Sequence, residues 1–315
     1  MDNSRAAQIF ENAAPVITRA MSLFALPSSG RVLVGASGGK DSTFLALFLR
    51  HLGFDVECLV VDLRYPNFEA PRIRDALQDL GLTATVCDLR AEMENESYLK
   101  AGKEALKKNF LELDSDECTT PCGACSRNKR TALAEYAASR NIRYVALGHH
   151  REDFLATLLK DYFVHCYHAT HGSYDRCRFQ EFVSCCPIDK HQLDSLCSAH
   201  KASTMAVRLR LNGSTELIRP MLFMPEQDII EARDKLGLAT FSSGCSHASF
   251  SSPQAEPTKR EIVHAELTRR LSDDPDLACW LAPIALSSLN QDGRPVSNPR
   301  SNRARTLPGF DPLAS

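Results

Sequence analysis

No apolar run in the 315 residues approaches the length needed to cross a bilayer. The N-terminal stretch carries polar and acidic residues and lacks the pattern of a secretion signal. These two absences lead us to expect a cytoplasmic protein with no membrane partner. Positive charge is not in excess: 37 Lys and Arg stand against 39 Asp and Glu, a formal net charge of −2. That excludes a globally basic nucleic-acid binder, so any RNA contact has to come from a local patch. There is no internal repeat. Two common phosphate-binding signatures are also missing at the Gly38-Gly39-Lys40 turn. The spacing fits neither a Walker A loop nor a Gly-x-Gly-x-x-Gly fingerprint.

What stands there instead is an apolar run, Val32-Leu33-Val34-Gly35, entering Ser37-Gly38-Gly39-Lys40-Asp41-Ser42 and leaving through a helix-like run, Thr43 to Arg50. Glycines let the backbone bend and approach an anion without a Cβ in the way. Amides at the start of the following helix point at the anion, and the helix dipole favours its charge. Lys40 adds a positive charge, and Ser37 and Ser42 add hydroxyl donors. The turn therefore reads as a phosphate cradle.

With 43% hydrophobic residues the chain can bury a normal core. Periodicity predicts a helix over 5–24, a strand over 31–36, a helix over 43–52 and a strand at Glu57–Asp62. It continues with a helix over 70–80, a strand over 83–87, and helices over 95–111 and 128–140. A strand at Tyr144–Leu147 and a helix over 152–163 follow. This alternation argues for an α/β fold, an open parallel sheet with helices on both faces. Ligands in such sheets gather at the carboxyl ends of strands, where Ser37, Asp62 and Gly148 all fall. From 164 to 217 the pattern weakens, with one strand expected at Met205–Leu211. Helices are expected over 225–236, 258–271 and 276–289, with a polar loop over 241–258. Residues 291–315, rich in Pro, Ser, Asn and Arg, read as a disordered tail.

Twelve cysteines is many for a chain expected in a reducing compartment, where metal ligation and catalysis outrank disulfides. Cys122 and Cys125 stand in a Cys-x-x-Cys arrangement just before a helix, with Arg127, Lys129 and Arg130 close behind. A helix start and basic neighbours favour thiolates. By itself the pair is half a zinc site, a redox couple or a set of cluster ligands.

The Ser37–Ser42 turn resembles the PP-loop of ATP pyrophosphatases, which split ATP into AMP and pyrophosphate. Behind it stand Cys122-x-x-Cys125, Leu147-Gly148-His149-His150-Arg151-Glu152-Asp153, Ile218-Arg219-Pro220 and Gly244-Cys245, in that order. Together they resemble the tRNA 2-thiocytidine synthetase family of iron-sulfur-dependent tRNA sulfurtransferases, over roughly residues 10 to 290. The resemblance implies that Ser37, Gly38, Gly39, Lys40, Asp41 and Ser42 hold ATP phosphates and Mg2+, with Asp153 assisting and Gly148 and His149 lining the nucleotide site. It makes Lys40, Asp41 and Asp153 the catalytic set. It implies that Cys122, Cys125 and Cys245 bind three irons of a [4Fe-4S] cluster and leave the fourth open for sulfide. It further implies a tRNA substrate, a sulfide donor such as a cysteine desulfurase, and a homodimer. The corresponding division is an N-terminal helical segment (1–30), an ATP-binding core (31–163), a Cys/His-rich insertion (164–217), a third-cysteine loop with C-terminal helices (218–290) and the tail (291–315).

The chain departs from that family in two places. Residues 164–217 are rich in Cys and His (His165, Cys166, His168, His171, Cys177, Cys185, Cys186, Cys197, His200), which opens the question of a second metal, zinc by donor type. Serine, not glycine, follows Cys245. Both touch the substrate side, so thiolation of a free nucleobase or nucleotide is the runner-up. A cluster-free PP-loop amide ligase using ammonia, and a zinc-stabilised nucleotide-binding module without catalysis, are the other readings.

Overall fold

The computed structural model describes residues 3–62, 68–88, 121–198, 205–212, 214–241 and 257–287. The helix expected over 95–111, the body of the 241–258 loop and the tail lie outside these residues. In the described part the chain runs α1 (Asn3–Leu23), β1 (Arg31–Gly35), α2 (Lys40–His51), β2 (Asp55–Asp62), α3 (Ala70–Asp79) and β3 (Thr83–Asp88). After residue 120 it continues α4 (Pro121–Ser139), β4 (Tyr144–Ala146), α5 (Arg151–His171), α6 (Arg176–Cys185) and α7 (Lys190–Ser198). It ends with β5 (Arg208–Asn212), β6 (Thr215–Ile218), α8 (Glu226–Leu236), α9 (Lys259–Asp273) and α10 (Leu277–Ser287).

Six strands form one sheet in the order β3-β2-β1-β4-β6-β5. Every neighbouring pair is parallel except β5 with β6, which is antiparallel and carries a bulge between Arg210 and Asn212. The expected open parallel sheet is present, with β5 as a reversed edge. Reversal follows from connection length: only residues 213 and 214 separate β5 from β6, too few for the crossover that parallel pairing needs.

Alternation along the strands sorts the core. Val32 and Val34 of β1, with Cys58 and Val60 of β2, face α1, α2, α3 and α5. Leu33, Leu59 and Val61 face the other way, toward Ala132, Leu133 and Ala137 of α4. Strands buried on both faces read as continuous apolar runs, which is why β1 and β2 were visible in the sequence. α1 lays Phe10 on α2, 5.8 Å from the Phe44 ring and 6.0 Å from Phe48.

The 164–217 stretch is more helical than its pattern suggested. α5 runs on to His171, and α6 and α7 follow. Their Phe179, Val183, Leu193, Leu196 and Cys197 join the same core as α2 and β1. Each short helix buries only two or three apolar residues, too few to show a period. Among the described residues, no three Cys or His of this stretch come together as metal ligands.

β1 and β4 sit side by side at the sheet's switch point. From β1 the chain works outward through β2 to β3, and β4 begins the other wing. That crevice is where open α/β sheets bind ligands.

Candidate functional site

β1 delivers the Ser37–Ser42 turn into this crevice. Gly38 sits at φ +78°, a left-handed conformation that a side chain rarely adopts. Gly39 caps α2 and makes no side-chain cap hydrogen bond, so its own position leaves the first-turn amides uncovered. Two serines brace the turn: the Ser37 N–H donates to Ser42 Oγ at 3.1 Å, and Ser42 Oγ donates to Gly39 O at 3.2 Å. Gly148, just past β4, presses on its far side. A Cβ there would lie 2.8 Å from the Asp41 carbonyl carbon and 2.9 Å from Ser42 N.

Lys40 and Asp41 open α2 and point into a cluster of charges. Lys40 Nζ lies 3.1 Å from Asp41 Oδ1 and 2.8 Å from Glu226 Oε1. Burial works against the Lys40 charge, but Asp41 and Glu226 outweigh it and hold the ammonium above its ordinary value. Burial pushes the Asp41 carboxyl up, against the pull of Lys40 and His150. Asp41 Oδ1 is buried with no hydrogen-bond partner of acceptable geometry.

α5 begins with the Gly-His-His segment. The His150 N–H donates to Asp153 Oδ2 at 3.3 Å, which turns the Asp153 carboxylate back over the helix start. Asp153 Oδ1 accepts from Arg260 at 2.6 Å. Burial resists ionisation of Asp153, yet the His150 and Arg260 charges hold it below the usual carboxylate range. Arg219 Nε lies 3.2 Å from His149 Nδ1, and burial with that guanidinium pushes His149 down to about 3, so its ring is neutral.

Glu152 is buried and ties the start of α5 to the start of α8. It meets His150 Nδ1 at 3.1 Å, accepts from Arg151 at 2.7 Å, and accepts the backbone N–H of Glu226 at 2.8 Å. Despite burial, His150 and Arg151 bring it down to about 2. That last bond seats the start of α8 beside α2. α9 is set by a capping box between Thr258 and Glu261, which fixes where Arg260 and His264 reach.

The fold thus brings together Ser37, Gly38, Gly39, Lys40, Asp41, Ser42, Gly148, His149 and Asp153. Asp62 closes β2 on the same edge of the sheet, opposite Asp88 of β3, and is buried. Cys122 and Cys125 fall in the first turn of α4. α4 leads into β4, so its first turn lies at the strands' carboxyl edge, with the cradle. Their side chains and the whole of Cys245 lie outside the described residues. Phe241, four residues before Cys245, donates its N–H to Gly38 O at 2.9 Å.

Sequence patterns gave no role to His150, Glu152, Glu226, Arg260 or His264. Each sits at or within a turn or two of a helix start, a position that carries no spacing signature across separate elements. Only His150 and Glu152 had a clue, since both stand in the Leu147–Asp153 segment that carries the resemblance.

Residues 30–197 match the family model described as tRNA methyl transferase HUP domain. A tRNA-cytidine(32) 2-sulfurtransferase of Geotalea daltonii is 31% identical over 222 residues, covering 68% of this chain and 69% of that protein. The chain belongs to the PP-loop family. Its members are ATP-dependent enzymes, and this chain is one of them. A second PP-loop relative, the tRNA-cytidine(32) 2-sulfurtransferase of Pelobacter propionicus, is 28% identical over 244 residues, 75% of this chain and 72% of its own length. The fold is also that of a solved U34-tRNA thiolase, NcsA of Methanococcus maripaludis. The two share a TM-score of 0.54 and 15% identity, over 88% of this chain and 77% of the thiolase.

Proposed function

We propose that the protein replaces a carbonyl oxygen of a tRNA base with sulfur at the expense of ATP, with cytidine as the base. The observation that carries this reading is the uncapped start of α2 with Lys40 beside it, in a chain 31% identical to a named tRNA-cytidine sulfurtransferase.

ATP phosphates lie against the first-turn amides of α2, with Ser37 and Ser42 donating and Gly39 leaving the approach open. The base oxygen attacks the α-phosphorus, and the bond to the β-phosphate oxygen breaks. Lys40 leaves Glu226 for the departing pyrophosphate and neutralises its growing charge. Asp41 Oδ1, buried with no hydrogen bond, suits a hard cation, so Asp41 with Asp153 would hold Mg2+, which would supply positive charge against the phosphates. Neutral His149 lines the nucleotide without competing for its charge. AMP then leaves as sulfur takes the oxygen's place.

That sulfur is what a [4Fe-4S] cluster, held by Cys122, Cys125 and Cys245, supplies when bound. Support comes from α4 starting at the carboxyl edge and from Phe241 bonding the cradle four residues before Cys245. The thiolase that shares the fold is described with such a cluster. The reading includes a cytoplasmic homodimer supplied by a cysteine desulfurase.

Anaerobic reactions with ATP and sulfide, offered bulk tRNA and free nucleotides in parallel, test it by mass spectrometry. Oxygen-to-sulfur exchange in tRNA is the expected outcome. Exchange confined to the free pool moves the substrate to nucleotides. ATP cleavage driven by ammonia with no sulfur incorporated overturns the reading.

A further inference from the structure

One group at the site is not absorbed by the ATP chemistry. Among the described residues, His150, Glu226 and His264 form the one set of three potential metal ligands, with donor atoms all within 4.8 Å of one another. They come from the N-terminal turns of α5, α8 and α9, so a stretch of more than a hundred residues separates the first from the last.

We infer that His150 Nε2, His264 Nε2 and Glu226 Oε2 form a binding site for a borderline divalent transition-metal ion, with Asp41 Oδ1 within reach as a fourth donor. His264 Nε2 lies 3.7 Å from Glu226 Oε2, and His150 Nε2 lies 3.8 Å from Glu226 Oε1. Asp41 Oδ1, the buried oxygen without a hydrogen bond, lies 4.0 Å from His150 Nε2. These separations put the donors close enough to share one ion once Lys40, now 3.1 Å from Asp41 Oδ1, swings aside.

The outer contacts match what metal-binding imidazoles require. His150 Nδ1 sits 3.1 Å from Glu152 Oε2, so the ring's other nitrogen faces the cluster. A carboxylate on the far nitrogen fixes the ring's direction and raises its basicity as a ligand. Glu152 also holds the Glu226 N–H at 2.8 Å, so one buried carboxylate positions two of the three ligands.

Lys40 occupies the opposite oxygen of Glu226 at 2.8 Å. Its ammonium and the metal compete for one carboxylate. Drawing Lys40 toward phosphate therefore favours the ion, and the site couples metal occupancy to nucleotide binding. Two imidazoles and a carboxylate suit Mn2+, Fe2+, Co2+ or Zn2+ over Mg2+, which prefers an all-oxygen shell. The donor set thus differs from the Asp41 and Asp153 oxygens assigned to Mg2+ above, although the two ions share Asp41.

The inference does not depend on thiolation and is tested without tRNA, sulfide or nucleotide. Mn2+ is titrated into the full-length protein, and bound ion is counted by electron paramagnetic resonance. Pulsed measurement reads 14N coupling from imidazole. Wild-type protein should bind one Mn2+ with 14N coupling. His264→Ala and His264→Gln should each weaken binding at least tenfold and reduce that coupling, a loss no smaller than removing an outer partner brings. Lys40→Ala should tighten Mn2+ binding while weakening ATP binding. No binding at millimolar Mn2+ overturns the inference. So does a bound ion without 14N coupling, which places Mn2+ on Asp41 and Asp153 alone. The wild-type spectrum decides the matter even where a variant fails to fold, and neither result bears on whether tRNA is thiolated.

Discussion

Replacing Gly148 with alanine puts one methyl group where the site has no room. The new Cβ would stand 2.8 Å from the Asp41 carbonyl carbon, 2.9 Å from its oxygen and 2.9 Å from Ser42 N. Ordinary contact begins at 3.4 Å, so the end of β4 and the start of α2 have to part by about 0.5 Å. All three opposing atoms are backbone, so no rotamer change relieves the clash. Overpacking of this kind costs about 1–3 kcal/mol, and a shift of this order in a phosphate cradle slows reaction by about tenfold to a hundredfold. Gly39→Ala is the matched comparison. There the nearest atom is Ser37 Oγ at 3.5 Å, and φ −82° with ψ 165° suits any residue. Its methyl group faces the space that phosphates enter, so stability should change by less than about 0.5 kcal/mol while ATP affinity falls. Chemical denaturation and AMP release, measured on both variants, separate the two effects. A Gly148→Ala protein with wild-type stability and wild-type ATP cleavage would refute the close approach of β4 to the cradle.

Three further outcomes follow from the same structure. Phe179 of α6 is fully buried, its ring 5.4 Å from that of Tyr167, so Phe179→Ala should cost about 3–5 kcal/mol. The loss should appear in a single unfolding transition; a separate early transition would mean that α6 and α7 are not part of the main core. Glu216 on β6 is bonded by Arg208 and by Arg143 at 3.2 Å, and these hydrogen bonds hold its carboxyl below the ordinary value despite burial. A lowered carboxyl stabilises the fold fully above its unfolded pKa of 4.5 and loses that contribution as pH falls through the folded value. Glu216→Gln should therefore flatten the acid limb of the stability–pH curve below about pH 5, and identical limbs would refute the ion pairing. Cys245→Ala should leave ATP binding intact and abolish sulfur incorporation, read by nucleotide titration and by mass spectrometry of the product. Full thiolation in that variant removes Cys245 from the reaction.

Much of this protein was legible from its residues in order. β1 and β2 announced themselves because strands buried on both faces must be apolar throughout. The Ser37–Ser42 turn was legible because a phosphate cradle is local: glycines, a lysine and a helix start within six residues. Gly148-His149-His150 stood out because it closes a short buried strand. What stayed hidden depends on meetings between distant segments. α6 and α7 bury too little surface each to show a period, and they fold because α5 and α9 offer α6, and α10 offers α7, an apolar face. The reversed edge strand is set by the two-residue link to β6, which composition does not express. Glu226 and His264 look like ordinary surface residues of amphipathic helices. They become site residues because the Glu152 carboxylate seats the start of α8 and the Thr258 capping box aims α9 at the same point. The sequence by itself determined the cradle and the sheet, whose physics is local. Tertiary structure decided which charges surround Lys40, because electrostatic partners are chosen by distance in space and leave no trace in spacing along the chain.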